Sequence, residues 1–176
     1  WHHFAMSFDT NTATEDVKLY LDGIEQATVF ADTRVANNYL TTGTSSVRIG
    51  GIADGNFDFN GQIDEVAFSN RMLSATEVAN LYRSQSRDSN TFVAPPVASY
   101  KAEGNANDFH GTNEGTLSNG ATTTVGISGN AFSFDGVNDY VNIPDSASLD
   151  LTDRVTLSAW INPSTMTFAD GFGAIL

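Results

Sequence analysis

Short runs of alternating apolar and polar residues recur along most of the chain and predict β-strands. The run HFAMSFD, residues 3–9, places Phe4, Met6 and Phe8 on one side, because successive side chains of a strand point to opposite faces. Similar runs follow at regular intervals: VKLYLDGIEQATVF, SVRIGG, GQIDEVAFS, VASYKAE, NAFSFDG, DYVNIP and VTLSAWINP. The dipeptide Asp22-Gly23 divides the first of these into a hairpin, since it favours a type I′ turn. Many short strands at this spacing are typical of an all-β antiparallel sandwich, jelly roll or barrel.

Helical spacing stands out in one place, directly after the GQIDEVAFS strand. Residues 74–83 read SATEVANLYR, and the first four fit the S-x-x-E capping box of a helix start. Val78, Leu81 and Tyr82 then fall on one side of a helix. We therefore predict one short helix that begins at Ser74.

An aspartate lies within the apolar strand that precedes this helix. With a side-chain period of two, Asp64 shares a face with Val66 and Phe68. A carboxylate that leaves water for an apolar face is costly unless a positive group or hydrogen-bond donors meet it. The partner of Asp64 is therefore a base such as Arg48 or Arg71, a set of backbone N–H groups, or a metal ion.

Composition restricts the classes of function. The chain has 176 residues, of which 40% are apolar, and it has no cysteine, so disulfides and thiolate metal sites are excluded. Its 21 acidic against 8 basic residues give a net charge of −13, which argues against nucleic acid and anionic lipid as partners. No apolar run approaches the roughly 18 residues of a membrane span. We expect no nucleic-acid partner and no membrane insertion.

One break in composition divides the predicted strands into two groups. Residues 84–96 carry Ser, Asn and a Pro-Pro pair, which is typical of a linker between domains. About five strands are predicted on either side, too few on each side to close a sandwich. The predicted organisation is therefore residues 1–83, a linker at 84–96, and residues 97–176.

Several segments resemble successive pieces of a laminin-G-like, concanavalin A-like jelly-roll domain. They read SYKAEGNANDFHGTNEGT, GNAFSFDGVNDYVNIPDSASLDLTDRVTLSAWINP, WHHFAMSFD, VKLYLDGIEQATV, VRIGG and FNGQIDEVAFSNRMLSATEVANLY. The FDG-x-x-DY stretch and the G-x-IDEV strand with its LSATEV helix are the specific parts of this resemblance, which covers nearly the whole chain. It implies an antiparallel β-sandwich of the jelly-roll type with one short helix.

The order of these segments departs from the family's order, in which the material of residues 100–176 comes first and IDEV is the closing strand. The resemblance thus implies that residues 1–83 are the C-terminal half of a domain. Residues 97–176 are then the N-terminal half of the next repeat, or of the same domain if it is permuted. Because open sheet edges favour pairing with another chain, we expect neighbouring copies to complete each other's sandwiches. Circular permutation within one chain is the alternative.

The resemblance also implies a structural calcium ion where the first and last strands of the domain meet. Carried over to this sequence, its ligands are Asp108 from the GNANDFHG loop, Asp64 of the closing strand, and the backbone oxygen of Gly136 in the FDG turn. Calcium takes about six to eight oxygen ligands, and a glycine lets the main chain come close. Asp135 and Asp139 are further candidate ligands, although Asp-Gly and Asn-Asp are also common turn residues.

Two other groups of side chains are weaker candidates for sites. The adjacent residues His2 and His3 point to opposite faces of a strand, so we interpret them as plain strand residues rather than as a metal pair. Aromatic residues could stack on a sugar, with burial between the sheets as the alternative for each. These aromatic residues are Trp160, Tyr20, Tyr39 and Phe57.

Catalytic motifs are not found in the sequence. Retaining glycoside hydrolases need two carboxyl groups about 5 Å apart, which jelly-roll enzymes present as E-x-D-x-x-E on one strand. The chain has no such run and no G-x-S-x-G, H-E-x-x-H or Gly-Lys phosphate loop. We therefore expect a protein that is not an enzyme.

The expected function is that of a recognition or adhesion module in a secreted or cell-surface multidomain protein, with structural calcium. Its expected partners are a glycan or an extracellular protein, together with neighbouring copies or repeats of itself. One alternative is a structural repeat of an extracellular fibre or stalk, assembled by complementation between half-domains. The other is an accessory module of a polysaccharide-degrading enzyme.

Overall fold

A computed structural model describes residues 1–9, 16–27, 44–52, 58–85 and 95–164. Within these residues it contains eleven strands, one α-helix and one short 3-10 helix at Ala147–Leu149. The elements are β1 (His2–Asp9), β2 (Asp16–Leu21), β3 (Ile24–Glu25), β4 (Val47–Ile49), β5 (Asn60–Ser69), α1 (Ala75–Gln85), β6 (Ala98–Tyr100), β7 (Thr116–Ser118), β8 (Thr122–Val125), β9 (Asn130–Asp135), β10 (Tyr140–Ile143) and β11 (Arg154–Pro163).

The strands form two antiparallel sheets. In the part of the chain that the structure describes, the large sheet has the order β3-β2-β1-β11-β5-β9-β8, and β6 also pairs with β5. The small sheet has the order β4-β10-β7. The main core contains Val66 of β5, Phe132 of β9 and Val141 of β10, all fully buried. These observations confirm the predicted all-β antiparallel sandwich with one short helix.

Local signals in the sequence correspond closely to local structure. Asp22 and Gly23 have φ angles of 52° and 76°, as a type I′ turn requires, and they join β2 to β3. At the start of α1 the Ser74 N–H donates to Glu77 Oε2 at 2.8 Å, and the Glu77 N–H donates to Ser74 Oγ at 3.3 Å. This reciprocal pair is the predicted capping box.

Helix α1 covers part of the outer face of the large sheet. Val78 and Leu81 on its inner side pack with Ala5 of β1 and Tyr20 of β2 in a second apolar cluster. Among the described residues, no helix has the length and apolar character needed to cross a membrane.

Strands from the first part of the sequence pair with strands from the last part within one chain. β1 pairs with β11 along its whole length, from His2 opposite Ile161 to Asp9 opposite Arg154. β5 lies between β11 and β9, and β4 pairs with β10. Pairing within one chain is what the permuted alternative predicts, and the division into domains itself stays a prediction. The exchange of halves between copies stays a prediction, as does the linker boundary, because residues 86–94 lie outside the described residues.

A β-bulge in β5 changes which residues share a face. The register with β11 shifts by one residue next to Asp64, which lies opposite Trp160, and Glu65 has a positive φ of 51°. Because of the extra residue, Ile63 and Val66 both belong to the main core although they are three positions apart. The predicted common face of Asp64 and Val66 is therefore wrong, since a strict period of two does not continue through a bulge.

Candidate functional site

Asp64 is fully buried and is surrounded by backbone N–H groups. Its Oδ1 accepts a hydrogen bond from the Glu65 N–H at 2.7 Å. Its Oδ2 accepts from the N–H groups of Ile127 at 3.0 Å and Ser128 at 3.2 Å, in the turn between β8 and β9. A Cβ on Gly126 would overlap Asp64 Oδ2, so glycine is the residue that admits the carboxylate. Asp64 thus ties the first part of the sequence to the last part.

The protonation of Asp64 is shifted by the same surroundings. Burial raises the pKa of Asp64 to about 7, and the neighbouring Glu65 charge acts in the same direction. The three backbone N–H groups oppose the rise because they stabilise the ionised form. The carboxylate therefore titrates near neutral pH.

Asp108 is also buried, and it organises the loop that contains it. Its Oδ1 accepts from the N–H groups of Ser99, His110 and Gly111 at 2.9, 3.1 and 3.0 Å. Its Oδ2 accepts from the backbone and side-chain nitrogens of Asn113, both at 3.1 Å. Although burial opposes ionisation, these backbone donors hold the pKa of Asp108 below its usual value.

Gly136 lies away from Asp64. It follows β9 with a φ of 78°, and a Cβ there would meet the side chain of Asn60. Asn60 pairs with Asp135 and stands four positions before Asp64 on β5. At about 3.3 Å per residue, Gly136 is therefore roughly 13 Å along the strand from Asp64.

A calcium ion held jointly by Asp64, Asp108 and Gly136 does not fit this geometry. A carboxylate offers about four lone-pair positions, and Asp108 already accepts five hydrogen bonds. The N–H groups around Asp64 point positive hydrogens at the carboxylate where a cation would need further oxygens. Across the described ranges, no three His, Asp or Glu side chains cluster closely enough to hold a metal ion. The geometry supports the interpretation that Asp64 caps backbone N–H groups.

The acidic residues of the FDG turn stabilise the turn itself. Asp139 is buried, and its Oδ2 accepts from the Asp135 N–H at 3.0 Å. Asp135 Oδ1 in turn accepts from the Val137 N–H at 2.9 Å. These contacts are the turn chemistry that the sequence offered as the alternative to metal binding.

The loop between β6 and β7, residues 101–115, is called the Asp108 loop. It carries an aromatic ring and two nitrogen-bearing side chains on the protein surface. The Phe109 N–H donates to Ser99 O at 2.8 Å, and the Phe109 side chain is 61% exposed. Lys101 Nζ lies 3.9 Å from the centroid of the Phe109 ring, and the His110 ring meets that ring edge to face at 5.3 Å. We call Lys101, Phe109 and His110 the Phe109 surface. Phe109 was not among the site residues predicted from the sequence; Asp108 before it, a residue type that stabilises turns, is the signal that could have indicated it.

An open pocket of about 460 Å³ lies beside this loop. Polar groups dominate its lining, which includes Asn70, Val97, Ser148, Asp150, Asp153 and Arg154. Ser148 Oγ donates to Asn113 Oδ1 at 2.7 Å. This hydrogen bond links a residue that lines the pocket to the loop that Asp108 organises.

The pocket and the Phe109 surface follow one another along β6. Ala98 and Tyr100 of this strand point into the main core. Val97, Ser99 and Lys101 alternate with them along the chain and therefore lie on the opposite side. Val97 lines the pocket, the Ser99 hydroxyl lies 2.8 Å from His110 Nδ1, and Lys101 lies over Phe109. The pocket and the Phe109 surface therefore lie on the same side of β6, with the buried Ser99 between them.

The four aromatic residues predicted as candidates for sugar stacking are either buried or outside the described residues. Trp160 and Tyr20 are buried, and Trp160 lies between the large sheet and α1 rather than between the two sheets. Tyr39 and Phe57 lie outside the described residues. The predicted opposite orientation of the adjacent histidines is confirmed, since one is exposed and the other is fully buried.

Comparison with known proteins finds a family match for the first part of the chain. Residues 1–79 match the family model described as the Concanavalin A-like lectin/glucanases superfamily, which is of the laminin-G type. No curated protein and no solved structure matches the chain. The matched range includes the IDEV strand and the first part of α1, and the two antiparallel sheets are those that the resemblance implies. Residues 1–79 are thus similar to the concanavalin A-like lectin/glucanase superfamily, and the two antiparallel sheets of the described residues are consistent with its β-sandwich fold.

Proposed function

We propose that this chain is a non-catalytic recognition module that binds a glycan in the pocket and along the Phe109 surface. The observation that carries this proposal is the open polar pocket of about 460 Å³ on the same side of β6 as the exposed Phe109 ring. Small-ligand pockets commonly measure about 300 to 1,000 Å³. Domains of the laminin-G type are typically extracellular, which suits a module of a secreted or cell-surface protein.

The chemistry of the pocket suits a ligand with many hydroxyl groups. Asp150 and Asp153 offer carboxylate acceptors, and Ser148 and Asn70 offer groups that both donate and accept hydrogen bonds. The Phe109 ring supplies an apolar face at the end of this polar track. A pyranose ring presents hydroxyl groups at its rim and C–H groups on its faces, so it matches both features.

The Asp108 loop lowers the cost of binding. Five hydrogen bonds to one carboxylate hold the loop backbone before any ligand arrives. A surface that is already ordered loses less conformational entropy on association. Asp108 is therefore a positioning residue of the proposed glycan site.

Calorimetric titration with oligosaccharides from laminarin, agarose and chitin tests the proposal. We expect weak binding of at least one of them, reduced about tenfold or more in Phe109→Ala and in Asp153→Asn. Val137→Ala is the matched control, because Val137 is 65% exposed and lies in the FDG turn near the opposite end of β5. No binding of any of these sugars, or equal losses in the control, would contradict the proposed site. Release of reducing ends by the purified chain would contradict its non-catalytic character.

Assembly with neighbouring copies is a second candidate function, and the outer strands of the large sheet favour it. Ile24 on β3 is 68% exposed and Val125 on β8 is 77% exposed, and both strands lie at an end of that sheet. Exposed apolar residues on edge strands promote pairing with another chain. The partner in this candidate function is a second copy of the chain.

A further inference from the structure

His3 is an ionisable residue buried between α1 and the large sheet. It is fully buried on β1, and its ring centroid lies 5.9 Å from that of Tyr82 and 5.5 Å from that of Trp160. Among the described residues, neither ring nitrogen has a partner that meets strict hydrogen-bond geometry, although the Gln85 side chain on α1 lies close enough to interact with the ring. Trp160 Nε1 also has no partner of that geometry. Helix α1 therefore packs on an ionisable side chain that has Gln85 as its polar neighbour.

The surroundings of His3 offer little to balance a positive charge. Its neighbours Tyr82 and Gln85 on α1 and Trp160 on β11 carry no carboxylate. Among the described residues, the carboxylate that acts on His3 is that of Asp22, in the β2–β3 turn.

That carboxylate is already engaged by two neighbouring groups. Asp22 Oδ1 accepts from the His3 backbone N–H at 2.9 Å, and its Oδ2 lies 2.9 Å from His2 Nδ1. Burial lowers the pKa of His3 to about 4, although Asp22 and the Gln85 side chain favour the charged form. A proton on His3 is thus disfavoured while α1 is in place.

We propose that His3 is an acid-sensitive packing contact of α1, and that its protonation weakens the packing of the helix against the large sheet. An imidazolium has two N–H donors, more than the Gln85 side-chain oxygen alone can accept, and separation of α1 from the sheet would expose both donors to water. This device is independent of the glycan site, because His3 does not line the pocket or belong to the Phe109 surface.

The size of the effect follows from the two pKa values. In an opened state His3 takes up a proton below its ordinary pKa of about 6.5, whereas in the closed state it does so only below about 4. The equilibrium constant for opening α1 therefore rises as pH falls through this window. The increase is roughly 80-fold at about pH 4.5 and at most about 300-fold.

Two measurements in a Trp1→Phe background test the proposal. The chain has two tryptophans, so this background leaves Trp160 as the single indole reporter beside His3. We expect the Trp160 emission to titrate in the acid range. We also expect the hydrogen-exchange protection factors of α1 amides to fall by one to two orders of magnitude between about pH 7.5 and 4.5. Amides of β9 and β10 should keep their protection, which distinguishes local opening from global unfolding.

The variants His3→Phe and His3→Gln should both remove the acid response, since neither side chain titrates. Two replacements are used so that a folding defect in one of them does not decide the result. His2→Gln and His110→Gln are matched controls that should keep the response. The proposal is overturned by unchanged α1 protection at acid pH in the parent, by an unchanged acid response in the folded His3 variants, or by equal loss of protection in β10.

Discussion

The carboxylate of Asp64 accepts a hydrogen bond from the backbone N–H of Ile127 at 3.0 Å, across 63 positions of the sequence. The Ser128 N–H donates to the same oxygen at 3.2 Å. This contact joins β5, from the first part of the chain, to the turn between β8 and β9. A buried carboxylate with N–H donors therefore ties the two parts together at the position where the family resemblance implies a cation.

Replacing Asp64 by Asn should destabilise the protein. The amide can accept with one atom only, so at least one of the three backbone donors, Glu65, Ile127 and Ser128, loses its partner. We expect a loss of about 1 to 3 kcal/mol, which corresponds to roughly 3 to 10 °C in Tm for a chain of this size. Asp145→Asn is the control, because Asp145 is exposed and should change stability by less than about 0.5 kcal/mol. Thermal unfolding that is equal in the two variants would count against the Asp64 contact.

A methyl group on Gly126 should displace the same carboxylate. The Cβ of Gly126→Ala would overlap Asp64 Oδ2 and would also lie 2.8 Å from the Asn130 carbonyl carbon. We expect a loss of about 2 kcal/mol or more. Gly104→Ala separates steric overlap from backbone strain, because Gly104 has a φ of 77° but has no neighbouring atom within 4 Å of a Cβ. This control should lose about 1 kcal/mol, and a larger loss at Gly104 than at Gly126 would refute the steric explanation.

Calcium should not be needed for stability if N–H donors meet Asp64 and Asp108. A site saturated at 100 times its dissociation constant would add about 2.7 kcal/mol. We expect Tm in excess calcium and in excess chelator to agree within about 1 °C, because neither carboxylate is arranged to gain that energy. A chelator-sensitive Tm that disappears in Asp64→Asn would instead restore the calcium site.

The stability of the protein should show two opposing pH dependences between about pH 4.5 and 6.5. The folded-state pKa of Asp64 is raised to about 7, so its contribution to stability is fully present below about 3.8 and is lost as pH rises through 7. The pKa of His3 is lowered to about 4, so its contribution is fully present above about 6.5 and is lost as pH falls through 4.

Single variants should separate these two contributions. In Asp64→Asn, urea unfolding should show stability that falls with decreasing pH, because the His3 effect is then unopposed. In His3→Phe, stability should instead rise as pH decreases over the same range. Identical profiles in the two variants would show that neither group controls the pH dependence.

Closure of the sandwich within one chain predicts a monomer. Strands from the two parts of the chain already pair with each other, as β1–β11, β5–β9 and β4–β10. Light scattering at low micromolar concentration should give the mass of one chain. Any increase in the measured mass at higher concentration should be smaller for Ile24→Lys, since charge on an edge strand opposes pairing. A dimer that persists on dilution would favour exchange of halves between copies.

The sequence by itself determined the local elements and the fold class. Alternating runs, the Asp22-Gly23 turn and the Ser74–Glu77 capping box each depend on residues a few positions apart, and all three appear in the structure. The similarity of residues 1–79 to the laminin-G-type family model was also readable from segments such as IDEV.

Only the tertiary structure decided the environments of the buried polar residues. The bulge at Glu65 interrupts the period of two, so the pattern could not assign Asp64 to a face. Its partner Ile127 is remote in sequence, and the burial of His3 and Trp160 depends on where α1 packs. An alternating apolar and polar pattern indicates that a strand has two different faces, but it does not indicate which face another element covers. Hydrogen-bond donors brought in by a distant turn leave no local signature, which is why a carboxylate capped by N–H groups and a carboxylate that binds calcium look alike in the sequence.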